Sequence, residues 1–286
     1  NPVCCLTNPF LGHEAEPLEK AEEPKKVMVI GGGVAGLSAA FIAKERGHEV
    51  TLYEAGDVLG GNMRLAAYPP GKGDITNMIR SYIHRCQKDG VKIVMNCEVT
   101  PELIKEEKPD SVIIATGSKT LILPIEGIDN PAIIHGSDLL DGKRAAGKKV
   151  LVVGGGMVGC ETAAFLGEQE HDVTVIEFRD TVGADVIHEH RVYLMKDFED
   201  YGIKEITGAK VCKFYEDGVE YETADGVRHE SRGYDSVILS MGFRNYNPLE
   251  EKIKDLVPET HVIGDAIRAR RALDATKEAY EVASRI

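Results

Sequence analysis

The sequence predicts an α/β fold in which one βαβ architecture is built twice, and three observations carry that prediction. The segments "KKVMVIGGGVAGLSAA" and "KKVLVVGGGMVGCETAA" each run from an apolar strand through a glycine-rich turn into an alanine-rich helix. The glycines Gly31, Gly33 and Gly36 match Gly154, Gly156 and Gly159 at a constant offset, 154 − 31 = 123 residues. The strands "GHEVTLYE" and "EHDVTVIE" end on Glu54 and Glu177 at that same offset.

Each part of the repeated unit has a physical job in holding a dinucleotide, which makes both copies Rossmann-like. The first glycine permits the tight turn, the second lets a pyrophosphate approach the backbone, and the third lets helix and strand pack closely. The helix start, Val34 and Ala35 in one copy and Met157 and Val158 in the other, offers N–H groups and a partial positive charge to phosphates. The acid at the end of the second strand, followed by Ala55 in the first copy, can accept the hydroxyls of an adenosine ribose. A lone glycine triplet is weak evidence; two triplets and two acids in one register are hard to explain by packing alone.

Along the chain, residues 1–24 read as an N-terminal arm and linker, charged and proline-punctuated from residue 13 onward. Residues 25–119 together with 246–286 form the first nucleotide domain, and residues 120–245 form a second domain inserted into it. In the first, "GDVLGGNMRLAAYPPGKGD" is a loop long enough to be functional. "ITNMIRSYIHRCQKDG" reads as a helix with Ile75, Met78, Ile79 and Tyr82 on one face. "VKIVMNCEV" alternates as a strand, and "PDSVIIATGSK" is a buried strand whose end supplies Ala115, Thr116 and Gly117. In the second domain, "EDG" and "ADG" mark hairpin turns of a small sheet, and "YDSVILSMGFR" ends on Gly242 as the counterpart of Gly117. The final strand and helix are expected to return to the first domain. His48 and His171, at equivalent repeat positions, read as structural.

Composition narrows the function classes. The chain has 286 residues, 30 glycines and no tryptophan, and its formal charge is −13. Such a surface has no general attraction for nucleic acid or an anionic membrane. No apolar run approaches a membrane span and no signal peptide is visible, so a reducing cytoplasm is the expected setting. The six cysteines are scattered, with no secreted disulfide framework. Small-molecule cofactors are the expected partners, and self-association into a homo-oligomer stays open.

Two nested dinucleotide domains, an "ATG" strand end and a terminal "HVIGDA" resemble the two-domain flavoprotein pyridine-nucleotide reductases over roughly residues 25 to 286. The resemblance implies FAD in the first domain and NAD(P)H in the inserted one. It assigns the acid of the Gly264–Asp265 pair to the flavin ribityl chain. It brings Gly60, Gly61 and Asn62 beside the flavin ring, and turns the helix start near Arg271 and Ala272 towards its pyrimidine edge. Glu161, where the first copy has Ser38, has two readings: a favourable acid in a helix first turn, or a group beside the nicotinamide amide. Glu177 should repel the 2′-phosphate of NADPH and so favour NADH, whereas Arg179 can partly accommodate that phosphate.

A narrower likeness lies at the start. "CLTNPFLGHE", an acidic linker and "KKVMVIGGGVAG" resemble the C-terminal half of the 2,4-dienoyl-CoA reductase, 2-enoate reductase and trimethylamine dehydrogenase group, the NADH:flavin oxidoreductases of the old yellow enzyme type. "GGNMRLAAYPPGK" and "GGGMVGCETA" fit it too. The resemblance implies an FMN-binding barrel and most of a [4Fe-4S] segment upstream, with Cys5 as the last cluster ligand. The alternative is an apolar arm in which Cys4 and Cys5 are small buried hydrophobes. No two cysteines have the C-x-x-C or C-x4-C spacing of disulfide reductases, so electrons are expected to leave without a protein dithiol.

The expected chemistry is hydride transfer from nicotinamide to flavin, needing no side-chain nucleophile or general acid; no catalytic side chain is assigned. In the intact enzyme, single electrons would pass through the cluster to FMN, which reduces an activated alkene. Competing readings are a stand-alone NADH oxidase or ferredoxin-type reductase and a non-catalytic, ADP-loaded structural module. A tRNA- or protein-binding role is disfavoured by the acidic surface.

Overall fold

A computed structural model describes residues 4–286, and the chain folds into two units. The first takes the described residues through Ala67, then Asp74–Lys119 and Arg244–Ile286; the second takes Tyr68–Gly73 and Thr120–Phe243. The six residues Tyr68–Gly73 thus group with the second unit, not with the 25–119 segment surrounding them in sequence. No helix among the described residues is long and apolar enough to cross a membrane.

The core of the first unit is a five-stranded parallel sheet in the order Glu259–Val262, Ser111–Ile114, Lys26–Ile30, Glu49–Tyr53, Lys92–Val94. Four of the five residues in each of Lys26–Ile30 and Glu49–Tyr53 are buried. That explains why their apolar runs are nearly continuous. The strand Lys92–Val94 is shorter than the alternation of "VKIVMNCEV" predicts. Asn96 turns left-handed at φ 54°, and the N–H groups of Asn96 and Cys97 donate to the carbonyls of Gly56 and Glu54 instead of extending a ladder.

The helix Val34–Glu45 is buried over its first ten residues, with Leu37, Phe41 and Ile42 fully enclosed. Each such side chain contributes about 2 kcal/mol of burial. The terminal helix Ala272–Ala283 packs on it, and Ala275, Ala279 and Ala283 keep the approach close. The start of the described chain docks on the same unit. Phe10 stacks on Phe41 and meets Tyr280 edge-on, and the Tyr82 hydroxyl donates to the Leu6 carbonyl at 2.8 Å. These are the contacts expected of a docked apolar arm.

The second unit repeats the plan. Its parallel sheet runs Ile134–His135, Ser236–Leu239, Lys149–Val153, Asp172–Ile176, Lys204–Ile206. The helix Met157–Glu168 follows its glycine turn. Three antiparallel strands, Lys210–Tyr215, Gly218–Glu222 and Arg228–Ser231, form the expected small sheet. The repeat extends to backbone detail. Gly47 ends the first glycine-turn helix at φ 97°, and Glu170, offset by 123, adopts the left-handed conformation at φ 64° despite its side chain. Such a turn costs about 1–2 kcal/mol outside glycine.

The two repeat histidines are structural. His171 Nδ1 lies 2.7 Å from the Gly147 carbonyl. His48 is 1% exposed; its Nδ1 accepts the Lys25 N–H at 3.0 Å, which leaves Nε2–H to donate to the Ile286 carbonyl at 3.0 Å. Burial lowers its pKa below 6.5, opposed in part by the bond to Ile286. The unfolded imidazole takes up its proton near pH 6.5, while the folded one stays neutral to lower pH. The His48 contribution is therefore complete above pH 6.5 and is lost as pH falls through the depressed folded value. Urea unfolding from pH 7.5 to 5 should show a loss of stability in His48 protein that His48→Gln lacks; identical pH profiles would contradict it.

Candidate functional site

Both glycine turns sit at the carboxyl ends of central parallel strands, where open α/β sheets bind ligands. In the first unit, Gly31 has φ 106°, and a Cβ there would lie 2.3 Å from the Ala115 carbonyl oxygen. A Cβ on Gly36 would lie 1.9 Å from the Gly31 oxygen, so the helix could not pack there. Gly33 differs: it is the helix N-cap at φ −73°, no side chain caps the end, and a Cβ would meet nothing within 4 Å. The helix N-terminus thus has no side-chain cap from Gly33, and a Cβ-sized space is free beside it, although Val34 and Ala35 are themselves buried.

The acid beside this turn is held by the backbone. Glu54 Oε2 accepts the Gly32 N–H at 2.6 Å, and Oε1 accepts the Gly56 N–H at 2.7 Å, across the turn containing Ala55. The following loop folds back, the Gly60 N–H donating to the Gly32 carbonyl at 2.8 Å. Gly60 and Gly61 are both left-handed. Asn62 Nδ2 donates to the Ser118 carbonyl at 3.2 Å, and the Ser118 hydroxyl donates to Asp265 Oδ2 at 3.0 Å. Asp265 Oδ1 also accepts the Arg270 N–H at 3.0 Å. Asn62 and Asp265 are thereby joined through Ser118, which sequence reasoning missed because serine after Gly117 carries no motif. The Thr116 hydroxyl donates to the Tyr246 carbonyl, and the Gly264 N–H to Glu278 at 2.7 Å. At Ala272 the helix start already carries an acid: Asp274 Oδ2 accepts the Arg271 N–H at 3.2 Å, so this end is less cationic than its dipole alone implies.

In the second unit a cavity of about 360 Å³ is bordered by Gly154, Gly156, Glu177, Phe178, Asp185 and Gly242, among others. Gly154 and Gly159 reproduce the first copy, their Cβ positions 2.4 Å from the Ser240 oxygen and 1.8 Å from the Gly154 oxygen. Glu177 is 8% exposed; it accepts the Gly155 N–H at 2.5 Å and the Arg179 N–H at 2.9 Å. Arg179 therefore anchors the acid through its backbone while the residue itself is exposed. Met157 and Val158 open the helix at the cavity wall. Glu161 is buried, paired with Lys72, and 3.4 Å from His190 Nε2. Phe178, Asp185, Lys72 and His190 were missed. Only Asp185 had a signal in the sequence, since 185 − 62 = 123 makes it the repeat partner of Asn62.

The buried cysteines are inert. Cys86 and Cys160 have thiols pushed up to about 12 by burial, and they donate to the carbonyls of Leu37 and Gly155. Cys5 is half-buried on the N-terminal arm. Among the described residues no group of three or more His, Cys, Asp or Glu is arranged to hold a metal ion.

Residues 25–263 match the family described as pyridine nucleotide-disulphide oxidoreductase. The chain belongs to that family. As a pyridine nucleotide-disulphide oxidoreductase it is an FAD-dependent enzyme module of the FAD- and NAD(P)H-binding type. It is 35% identical to the cinnamate reductase of Clostridium sporogenes, over 99% of this chain and 43% of that protein. It is 34% identical to an NADH oxidase of Thermoanaerobacter brockii, over 99% of this chain and 44% of that one. Among solved structures, a 2-naphthoyl-CoA reductase in complex with 2-naphthoyl-CoA superposes with a TM-score of 0.92 at 33% identity, covering 99% of this chain and 43% of that one. The chain thus spans less than half the length of these relatives.

Lys72 and Glu161 are 20% and 8% exposed, so removing the lysine leaves a buried carboxylate 3.4 Å from His190 Nε2. Lys72→Met should cost about 3 kcal/mol, the low end for a buried pair because the lysine is partly exposed. Because the loss arises from the stranded acid, Lys72→Met combined with Glu161→Gln should cost less than the sum of the two single changes. Denaturant unfolding of the four proteins measures the coupling; strict additivity would contradict it.

Proposed function

We propose that the first cleft holds FAD and the second NADH, and that the protein is the NADH-oxidising module of a flavoenzyme that reduces an activated alkene. The observation that carries this reading is the paired acid geometry. Glu54 and Glu177 each have both carboxylate oxygens fixed by backbone N–H groups beside a glycine turn. Each oxygen retains lone pairs for ribose hydroxyls.

When bound, the flavin supplies two-electron acceptance from a nicotinamide and release of single electrons afterwards. The chain's own residues bind and orient. Gly33 leaves the N–H groups of Val34 and Ala35 open to a pyrophosphate. Asp265, aligned by Ser118 and the Arg270 N–H, is poised to accept from a ribityl hydroxyl. Asn62, Gly60 and Gly61 would border the ring, and Glu161, held by Lys72, would orient the nicotinamide carboxamide. NADH is the expected reductant because the fixed, buried Glu177 opposes a 2′-phosphate.

The electron route of the whole protein belongs to the same proposal. In the whole protein a [4Fe-4S] cluster and an FMN barrel would supply one-electron relay and alkene reduction, with two electrons and two protons per double bond. Cys5 is the residue of this chain proposed to ligate the cluster. The reading is supported by the resemblance around "CLTNPF", by the length of the relatives beyond the matched part, and by the activities for which the cinnamate and 2-naphthoyl-CoA reductases are named. An enoate or an acyl-CoA thioester conjugated to an alkene, of the enoate or dienoyl-CoA type, is the proposed substrate class.

Gly33→Ala tests the first cleft. The methyl meets no protein atom within 4 Å, so stability should hold, while FAD affinity should fall at least roughly tenfold. Reconstitution followed by flavin fluorescence reads the loss; full FAD binding by the variant would count against the cleft. For the second cleft, anaerobic stopped-flow reduction of the bound flavin should favour NADH over NADPH on the order of a hundredfold at low concentration. Glu177→Ala should narrow that preference. Equal rates with the two reductants would mean that Arg179 outweighs the acid.

A further inference from the structure

Among the repeat positions at which the two units differ, one bears on whether the helix N-terminus is accessible. In both units the loop after the strand-end acid folds back at the same place: Gly60 N–H to the Gly32 carbonyl at 2.8 Å, and Gly183 N–H to the Gly155 carbonyl at 2.7 Å. Two residues later the loops carry Asn62 and Asp185. Asn62 turns away to Ser118, and a Cβ on Gly33 would meet nothing within 4 Å. Asp185 turns inward. Its Oδ1 accepts the Met157 N–H at 2.9 Å, and a Cβ on Gly156 would lie 3.3 Å from Oδ2. Asp185 also borders the second cavity together with Gly154, Gly156 and Glu177.

We propose that Asp185 is a displaceable anionic plug, whose carboxylate occupies the pyrophosphate position of the second cleft until the cofactor takes it over. This inference rests on the reading of that cleft as an NADH site. The N-terminal N–H groups of a helix attract one anionic group at a time, and a carboxylate meets their demand as a pyrophosphate does. An entering dinucleotide must break the Met157 contact and push a like charge aside, so part of its binding free energy is spent on displacement. When the cofactor leaves, Asp185 returns and satisfies the exposed N–H. The first cleft has no such competitor, which suits a group that stays bound, whereas the plugged cleft suits one that exchanges at every turnover.

The plug predicts a pattern that follows the phosphates. Replacing Asp185 by Asn keeps the size and removes the charge, so NADH and ADP-ribose should bind roughly tenfold more tightly, about 1.4 kcal/mol. Adenosine, which has no pyrophosphate, should bind unchanged. Isothermal titration of the purified chain, wild type, Asp185→Asn and Asp185→Ser, with these three ligands gives the dissociation constants. Thermal melting identifies which variants are folded, and Asp185→Ser serves if the asparagine variant is not. Tighter NADH and ADP-ribose with unchanged adenosine supports the plug, as does binding gained only by a variant. Equal constants in all proteins overturn the plug while leaving the cofactor reading intact. Weaker NADH binding in the variants also overturns it, since Asp185 would then hold the cofactor rather than compete with it. If no protein binds any of the three ligands, the cofactor reading fails and the plug fails with it.

Discussion

Both glycine turns depend on one interaction, the return of a strand-end carboxylate to the turn. Glu54 bonds the N–H of Gly32, and Glu177 that of Gly155, at the second residue of each turn. Charge-assisted bonds of this kind are among the stronger ones a protein makes. They hold the turn against the neighbouring strand and set the acid at the cleft wall. The close packing of Gly36 on Gly31, and of Gly159 on Gly154, then fixes where each helix starts. Without the acid, the turn N–H would lose its partner and the cleft its polar end.

On this shared frame the two units have diverged at a few positions. Ser38 in the first helix is answered by buried Glu161 in the second, which is matched by Lys72 and approached by His190. Asn62 is answered by Asp185, with opposite consequences for the helix N-terminus. Gly47 is answered by Glu170, and here the backbone conformation survives the loss of glycine. The frame tolerates such changes because strands, turn and helix are set by packing and backbone bonds, and the one buried charge among them, Glu161, is paired with Lys72.

The sequence was most legible where chemistry demands a residue type at a fixed spacing. A turn in which a Cβ on Gly31 would lie 2.3 Å from the Ala115 oxygen admits only glycine, so the triplet reveals the fold directly. Legibility declined where a choice depended on partners distant in sequence. The strand "VKIVMNCEV" stops at Val94 because Asn96 and Cys97 find better partners at Gly56 and Glu54. The arm around Phe10 docks because Phe41, Tyr82, Arg85 and Tyr280 offer an aromatic and cationic face assembled from three helices.

By itself the sequence determined two Rossmann-like units, their acids, their glycine turns and the nesting of one unit within the other. These follow from local sterics and from a period of 123 residues carried by the glycines and acids alike. Only the tertiary structure decided that Tyr68–Gly73 joins the second unit, that Lys72 meets Glu161, and that Asp185 caps the helix at Met157. Those pairings join groups up to 89 residues apart. Charge and hydrogen bonding select a partner only after the fold has brought the groups together, so no local pattern announces them.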